Sequence, residues 1–251
     1  MRKIDQYLGI PLCFLVTVFY KIQRLIGINN PRFNAHPKNI LFVELAEMGS
    51  IVVAYPAVKE LIKMYQDVDI YFLSFRNIRE SIEILNITQN DKLFTIDNKS
   101  MISLIKDTFK FMYLSRRKKI DTAIILDAFA RYSTILGYLS GARKRVGFFR
   151  YYQEGLYIGN FLTHKIIYNS HMHASQSFLS LVRSLKETDG QIPFAKFAFE
   201  DNILNVPRIL SPPIQRENIW HMLKRENPSI DSTKKLVVIN PNASKLISIR
   251  K

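Results

Sequence analysis

From residue 39 onward, short apolar runs alternate with longer segments in which apolar residues recur every three or four positions. The runs at 39–45 (NILFVEL), 69–74 (DIYFLS), 93–96 (LFTI), 121–127 (DTAIILD) and 144–149 (KRVGFF) have strand length. Their near-continuous apolarity predicts strands covered on both faces. Between them, 51–65, 77–86, 100–118 and 130–140 carry helical spacing, with Ser50 placed to cap the first helix and Gly141 to stop the last. A long amphipathic helix is predicted over 171–187, a shorter one over 215–226, and a final strand at 235–239 (KLVVI). Strands alternating with helices predict an α/β protein built on a parallel sheet, whose ligands gather at the carboxyl ends of the strands.

The first 35 residues depart from this pattern. Fifteen uncharged residues, QYLGIPLCFLVTVFY, lie between Asp5 and Lys21, with Arg2 and Lys3 before them and Lys21 and Arg24 after. The stretch is short of the roughly 20 apolar residues of a bilayer span, and Pro11 is expected to interrupt it. No small-x-small cleavage site of a signal peptide follows. The basic, amphipathic continuation (Phe19, Ile22, Leu25, Ile26) suits a helix lying in a membrane interface with its cations toward anionic headgroups. The alternative is a helix packed on the protein's own core. Apolarity nearly all round the segment favours the interface.

Composition narrows the class. With 47% hydrophobic residues the chain is not a disordered one, and its single cysteine, Cys13, excludes a disulfide scaffold and a cysteine-built metal site. A length of 251 residues admits one large domain or two small ones. The net charge of +15 is concentrated in three places: the first 35 residues, 106–119, and 143–150 with Arg143, Lys144, Arg145 and Arg150. Such clusters suit nucleic acid, an anionic membrane or a phosphorylated ligand. The sequence has no zinc-finger spacing, RNP-type strand motif or recognisable helix-turn-helix, so no nucleic-acid partner is expected.

Candidate chemistry begins in the loop after the first strand, Glu44-Leu45-Ala46-Glu47-Met48-Gly49-Ser50. It lies at a strand's carboxyl end, Gly49 permits close backbone approach, and the next helix offers unpaired N–H groups to an anion. G-x-G-x-x-G and Walker A motifs are absent, which removes the usual dinucleotide and P-loop readings. His171 and His173, two residues apart, point to different sides of a helix and are not expected to be a metal pair; one of them is expected to cap a helix or to contact substrate.

Taken in order, NILFVELAEMGSIVVAYPAVKEL, DIYFLS, DTAIILDAFARYSTILGYLSGARKRVGFF and VVINPNAS resemble glycosyltransferase family 9, the family of bacterial lipopolysaccharide heptosyltransferases. The resemblance runs over about residues 38 to 251. It implies a GT-B architecture, two Rossmann-like domains across a cleft. The expected parts are an interface helix (1–35), an acceptor-side Rossmann-like domain (36–187), a connection (188–213) and the beginning of a nucleotide-sugar domain (214–251). It further implies metal-independent, inverting transfer of a sugar of the heptose type from a nucleotide-sugar to a lipopolysaccharide-type or other cell-surface glycan. No cofactor is implied. The enzyme would sit at the cytoplasmic face of the membrane, beside a lipid-linked acceptor.

Such transfer needs a base for the acceptor hydroxyl and positive or N–H groups for the leaving diphosphate. Where the family commonly has an aspartate base, this sequence has Ser50, whose hydroxyl is no base near neutral pH; Glu47 is the nearest replacement. Glu44, late in a buried strand, is expected to make a structural hydrogen bond. Asn240, Asn242, Ala243, Ser244 and Lys245 fall in the family's phosphate-contacting loop, and Arg250, or Lys251 beside it, at its basic position. Gly49, Asp127, Arg131, Arg143 and Arg145 are expected on the acceptor side. The resemblance breaks off inside the second domain, so the chain as given is expected to be inactive alone. The alternative is a non-catalytic, membrane-associated binding or assembly protein on the same fold.

Overall fold

The computed structural model describes residues 2–28, 36–45, 47–128, 130–150, 157–187, 197, 211–230, 237 and 239. The chain divides into two compact units, Met1–Pro207 and Arg208–Lys251. In the first, six strands form one parallel sheet: β1 (Asn39–Val43), β2 (Asp69–Phe75), β3 (Leu93–Ile96), β4 (Thr122–Ile125), β5 (Lys144–Phe149) and β6 (His164–Ile167), in the order β3-β2-β1-β4-β5-β6. Connections run outward in opposite directions from β1 and β4, so a crevice opens at the carboxyl ends of that central pair.

The central strands are apolar throughout because both sheet faces are covered. Ile40, Leu41, Phe42 and Val43 are all fully buried, each contributing about 1.5–3 kcal/mol of burial. Ile40 and Phe42 face α2 (Met48–Met64), α3 (Arg79–Leu85) and α6 (Ala174–Arg183). Leu41 and Val43 face α4 (Met101–Arg117) and α5 (Arg131–Leu139). On that second side α1 (Arg2–Leu25) packs against α5, through a small cluster of Cys13, Tyr20, Tyr138 and Phe161.

Three local expectations are corrected. Pro11 does not interrupt α1, which runs through it. The carbonyl that loses its helical partner belongs to Tyr7, a residue 73% exposed near the start of the helix. Within α1 the 19-residue span Tyr7–Leu25, with mean hydropathy 1.4, is thereby long and apolar enough to cross a membrane by length and composition. Ser50 does not cap α2: the helix starts at Met48, and Glu47, extended at φ −114° and ψ 108°, stands at the cap position. The helix expected from 171 begins at Ala174, with His173 Nδ1 accepting the Ser175 N–H at 3.2 Å, and β6 precedes it where no strand was predicted.

In the second unit, α7 (Pro213–Glu226) opens with proline in its first turn and carries no buried residue. Of the expected connection at 188–213, all but residues 197 and 211–213 lies outside the described residues, as does most of the expected strand at 235–239.

Candidate functional site at the sheet switch point

The crevice between the ends of β1 and β4 is held by two carboxylates whose positions the backbone dictates. Where β1 ends, Glu44 is buried and its Oε1 accepts the Glu47 N–H at 3.2 Å, turning the chain into α2. This is the structural hydrogen bond expected of Glu44. Where β4 ends, Asp127 Oδ2 accepts the Leu45 N–H at 3.1 Å and a short hydrogen bond from the Ser133 hydroxyl. Asp127 thus fastens the β1 loop to the first turns of α5. Ser133 was not singled out in the sequence; its only signal is a hydroxyl two residues into the helix that follows Asp127.

Glu47 is exposed, at the mouth of the crevice, and its Oε2 accepts the Ser50 hydroxyl at 2.9 Å. Ser50 therefore orients the neighbouring carboxylate. No side chain caps α2, so its first-turn N–H groups face outward at the end of the helix dipole. Gly49 is exposed in that turn, and a Cβ placed there would meet nothing within 4 Å, leaving room for a ligand against the backbone. A base candidate, an oriented hydroxyl and a helix N-terminus share one loop.

The other expected acceptor residues separate. Arg131, the first residue of α5, is on the crevice side but only 3% exposed, and its Nε donates to the Tyr157 carbonyl at 2.7 Å. It braces the loop leading to β6. Arg143 and Arg145 lie at the start of β5, and in a parallel sheet the start of a strand is at the edge opposite the crevice. Both are therefore removed from the acceptor side. Arg143 is exposed at that far edge, its N–H bonded to the Asp121 carbonyl at 2.9 Å.

Arg145 is fully buried. It donates to the carbonyls of Phe161 at 2.6 Å and of Ala142, and its guanidinium lies 4.7 Å from the Tyr20 ring and 5.4 Å from the Tyr138 ring. It is the buried cation on which α1, α5 and the 158–163 loop converge. Burial lowers the Lys144 pKa, against the attraction of Asp121. It also pulls neighbouring His164 down to about 4, helped by the charges of Lys144 and Arg145. Asn240, Asn242, Ala243, Ser244, Lys245 and Arg250 lie outside the described residues. Among the described residues no three His, Cys, Asp or Glu side chains group as metal ligands.

No protein-family model matches the sequence, and no match is found among curated proteins. Solved structures do match. A glycosyl transferase family 9 structure from Veillonella parvula superposes with a TM-score of 0.58 at 15% identity, covering 77% of this chain and 51% of that one. The E. coli ADP-heptose lipopolysaccharide heptosyltransferase II gives 0.53 at 13%, with the same coverages. The fold is that of the GT-B glycosyltransferases. The E. coli heptosyltransferase WaaC, solved with ADP-2-deoxy-2-fluoro heptose, gives 0.50 at 13% identity over 60% of this chain and 49% of its own. The chain spans about half the length of the GT-B structures it matches.

Proposed function

We propose that this chain provides the acceptor-side half of a family 9 type glycosyltransferase, which moves a sugar of the heptose class from a nucleotide-sugar to a lipid-linked or cell-surface glycan. The observation that carries the reading is the crevice itself: an accessible carboxylate, Glu47, oriented by Ser50 beside an uncapped helix N-terminus at the switch point of a GT-B sheet. In this reading Glu47 takes the proton of the acceptor hydroxyl as that oxygen attacks the anomeric carbon, and the sugar–phosphate bond breaks on the opposite face, giving inversion. Asp127 and Ser133 hold the loop geometry, and the first-turn N–H groups of α2 bind an acceptor hydroxyl or phosphate. For the leaving diphosphate, Asn240 to Lys245 and Arg250, which lie outside the described residues, remain the candidates.

The apolar outer side of α1 supports contact with a membrane, in this reading at its cytoplasmic face beside a lipid-linked acceptor. Cys13, Thr17 and Tyr20, in the middle of α1, are buried in the contact with α5 and the 158–161 loop, so the helix lies along the domain. A helix held sideways at its centre is suited to the interface rather than to a crossing.

The test is sugar transfer from ADP-heptose by the protein that carries this sequence, with Glu47→Gln beside it. The variant should lose at least about a hundredfold in kcat, the usual contribution of a general base, with little change in donor KM. Equal turnover by the variant would remove Glu47 from the chemistry. Acceptor binding without turnover from any nucleotide-sugar would replace the transferase with the non-catalytic binding protein, which the serine at the family's base position favours.

A further inference from the structure

The helical layer on the α1 side of the sheet has an outer surface with one unusual property. No residue of α5 is exposed; the outside of the layer is made by its neighbours, α1 and α4. Along α4 the exposed residues are Met101, Ile102, Ile105, Lys106, Phe109, Lys110, Tyr113, Arg116 and Arg117, all of them either apolar or cationic. Ile102, at 81% exposed, and Phe109 and Tyr113, near 60%, follow one another at helical spacing. The helix's one acidic residue, Asp107, is turned inward, accepting from Arg76 and from the Asp97 N–H. From Tyr7 to Leu25 the exposed residues of α1 are again apolar, with only Lys21 and Arg24 charged.

The two helices border one cleft of about 300 Å³, lined by Leu15, Phe19 and Gln23 of α1, Arg116 of α4, and Tyr138 and Leu139 of α5. Gln23 and Arg116 stand in the last turns of their helices, so the carboxyl-terminal ends of α1 and α4, each carrying exposed cations, border the same cleft. Arg117 also lies over the Tyr113 ring, 5.9 Å from its centroid.

We propose that α4 is a second membrane-binding element, so that α1 and α4 together rest on an anionic bilayer, with Ile102, Ile105, Phe109 and Tyr113 entering the headgroup boundary. The proposal rests on the membrane association read from α1 and extends it to a surface that fixes orientation, since two helices define a plane and one does not. The chemistry selects lipid as the occupant. Protein interfaces are depleted in lysine, whereas here Lys106 and Lys110 stand exposed among Ile105, Phe109 and Tyr113. Apolar side chains set among Lys and Arg match acyl chains beneath anionic phosphates. α4 starts at the carboxyl end of β3, so a bilayer on this face runs along one flank of the edge where the crevice opens.

The experiment is flotation of the 251-residue chain with vesicles of phosphatidylcholine alone or with 30 mol% phosphatidylglycerol. Wild type is compared with Ile105→Glu/Phe109→Glu on α4, with Lys106→Gln/Lys110→Gln on α4, and with Leu15→Glu/Phe19→Glu on α1. All six positions are exposed, and circular dichroism melting checks that each variant folds. Both α4 variants should bind anionic vesicles at least about tenfold more weakly, the lysine pair losing only the anionic component. If both α4 variants bind as wild type while the α1 variant is lost, the α4 proposal fails and the α1 reading stands. Wild-type failure to bind either vesicle overturns both. Concentration-dependent self-association removed by the α4 variants, with vesicle binding unchanged, would assign the face to a second copy and overturn the proposal.

Discussion

Arg145→Met tests whether the buried guanidinium holds α1 to the domain. Methionine keeps most of the apolar stem and removes the charge. It leaves the carbonyls of Phe161 and Ala142 without their donor in a fully buried place and removes the contacts with Tyr20 and Tyr138. Two unsatisfied carbonyls cost about 1–3 kcal/mol each and the lost cation–π contacts about 0.5–2 each. Release of a buried charge, and the added apolar burial, return several kcal/mol of that. The net expectation is a loss of about 3 kcal/mol, concentrated at the α1 junction.

The sole cysteine reports on that junction, because Cys13 is fully buried between α1 and α5. Its labelling by a thiol reagent without denaturant measures how often α1 opens. A loss of about 3 kcal/mol corresponds to roughly a hundredfold faster labelling, alongside a lower urea midpoint by circular dichroism. Arg145→Lys, which keeps the charge and gives up the forked donor, should fall between. Wild-type labelling and an unchanged midpoint in Arg145→Met would refute the structural role and return Arg145 to the pool of ligand-binding cations.

Two further outcomes follow from the same region. His164 is neutral in the fold, held at about 4 against an ordinary 6.5, so the unfolded chain takes up a proton in that window that the fold refuses. Its contribution is complete above about pH 6.5 and is lost as pH falls toward 4, a change of about 3 kcal/mol; urea unfolding of His164→Gln at pH 7, 5.5 and 4.5 should show a flatter decline, and an identical slope would refute the assignment. Gly159→Ala places a Cβ 2.3 Å from the Phe161 ring and 2.9 Å from Thr17 Oγ1 at φ +80°. It should lower stability by about 2 kcal/mol and speed Cys13 labelling, whereas wild-type behaviour in both would mean the 157–161 loop moves freely without α1.

The sequence carried the parallel sheet because its central strands announce themselves: ILFV of β1 and AII of β4 are apolar at every position, as coverage of both sheet faces requires. β6 was hidden for the complementary reason. His164 and Lys165 break its apolar run, and only pairing with β5 and packing against Thr163 and Arg145 makes a buried histidine acceptable there. The loop from Glu44 to Ser50 was legible as a site because a short turn with glycine between strand and helix needs few long-range contacts. Which residue begins α2 was not, since Glu44 reaches forward to accept the Glu47 N–H and the helix starts three residues early.

By itself, then, the sequence determined the alternation of elements, the switch-point loop and the amphipathic N-terminus, all of which follow from local periodicity and turn chemistry. Tertiary structure alone decided what the cations do. Arg143, Lys144 and Arg145 are adjacent to the glycine turn in sequence, yet the parallel direction of β5 carries them to the edge away from the crevice and closes Arg145 beneath α1. Lys106, Lys110 and Arg117 look no different in a composition count, yet the face that α4 turns away from Phe111 and the sheet sets them beside Ile105, Phe109 and Tyr113 on the outside. Charge is read from the chain; whether it meets a ligand, a bilayer or a buried carbonyl depends on which end of a strand or side of a helix the packing leaves open.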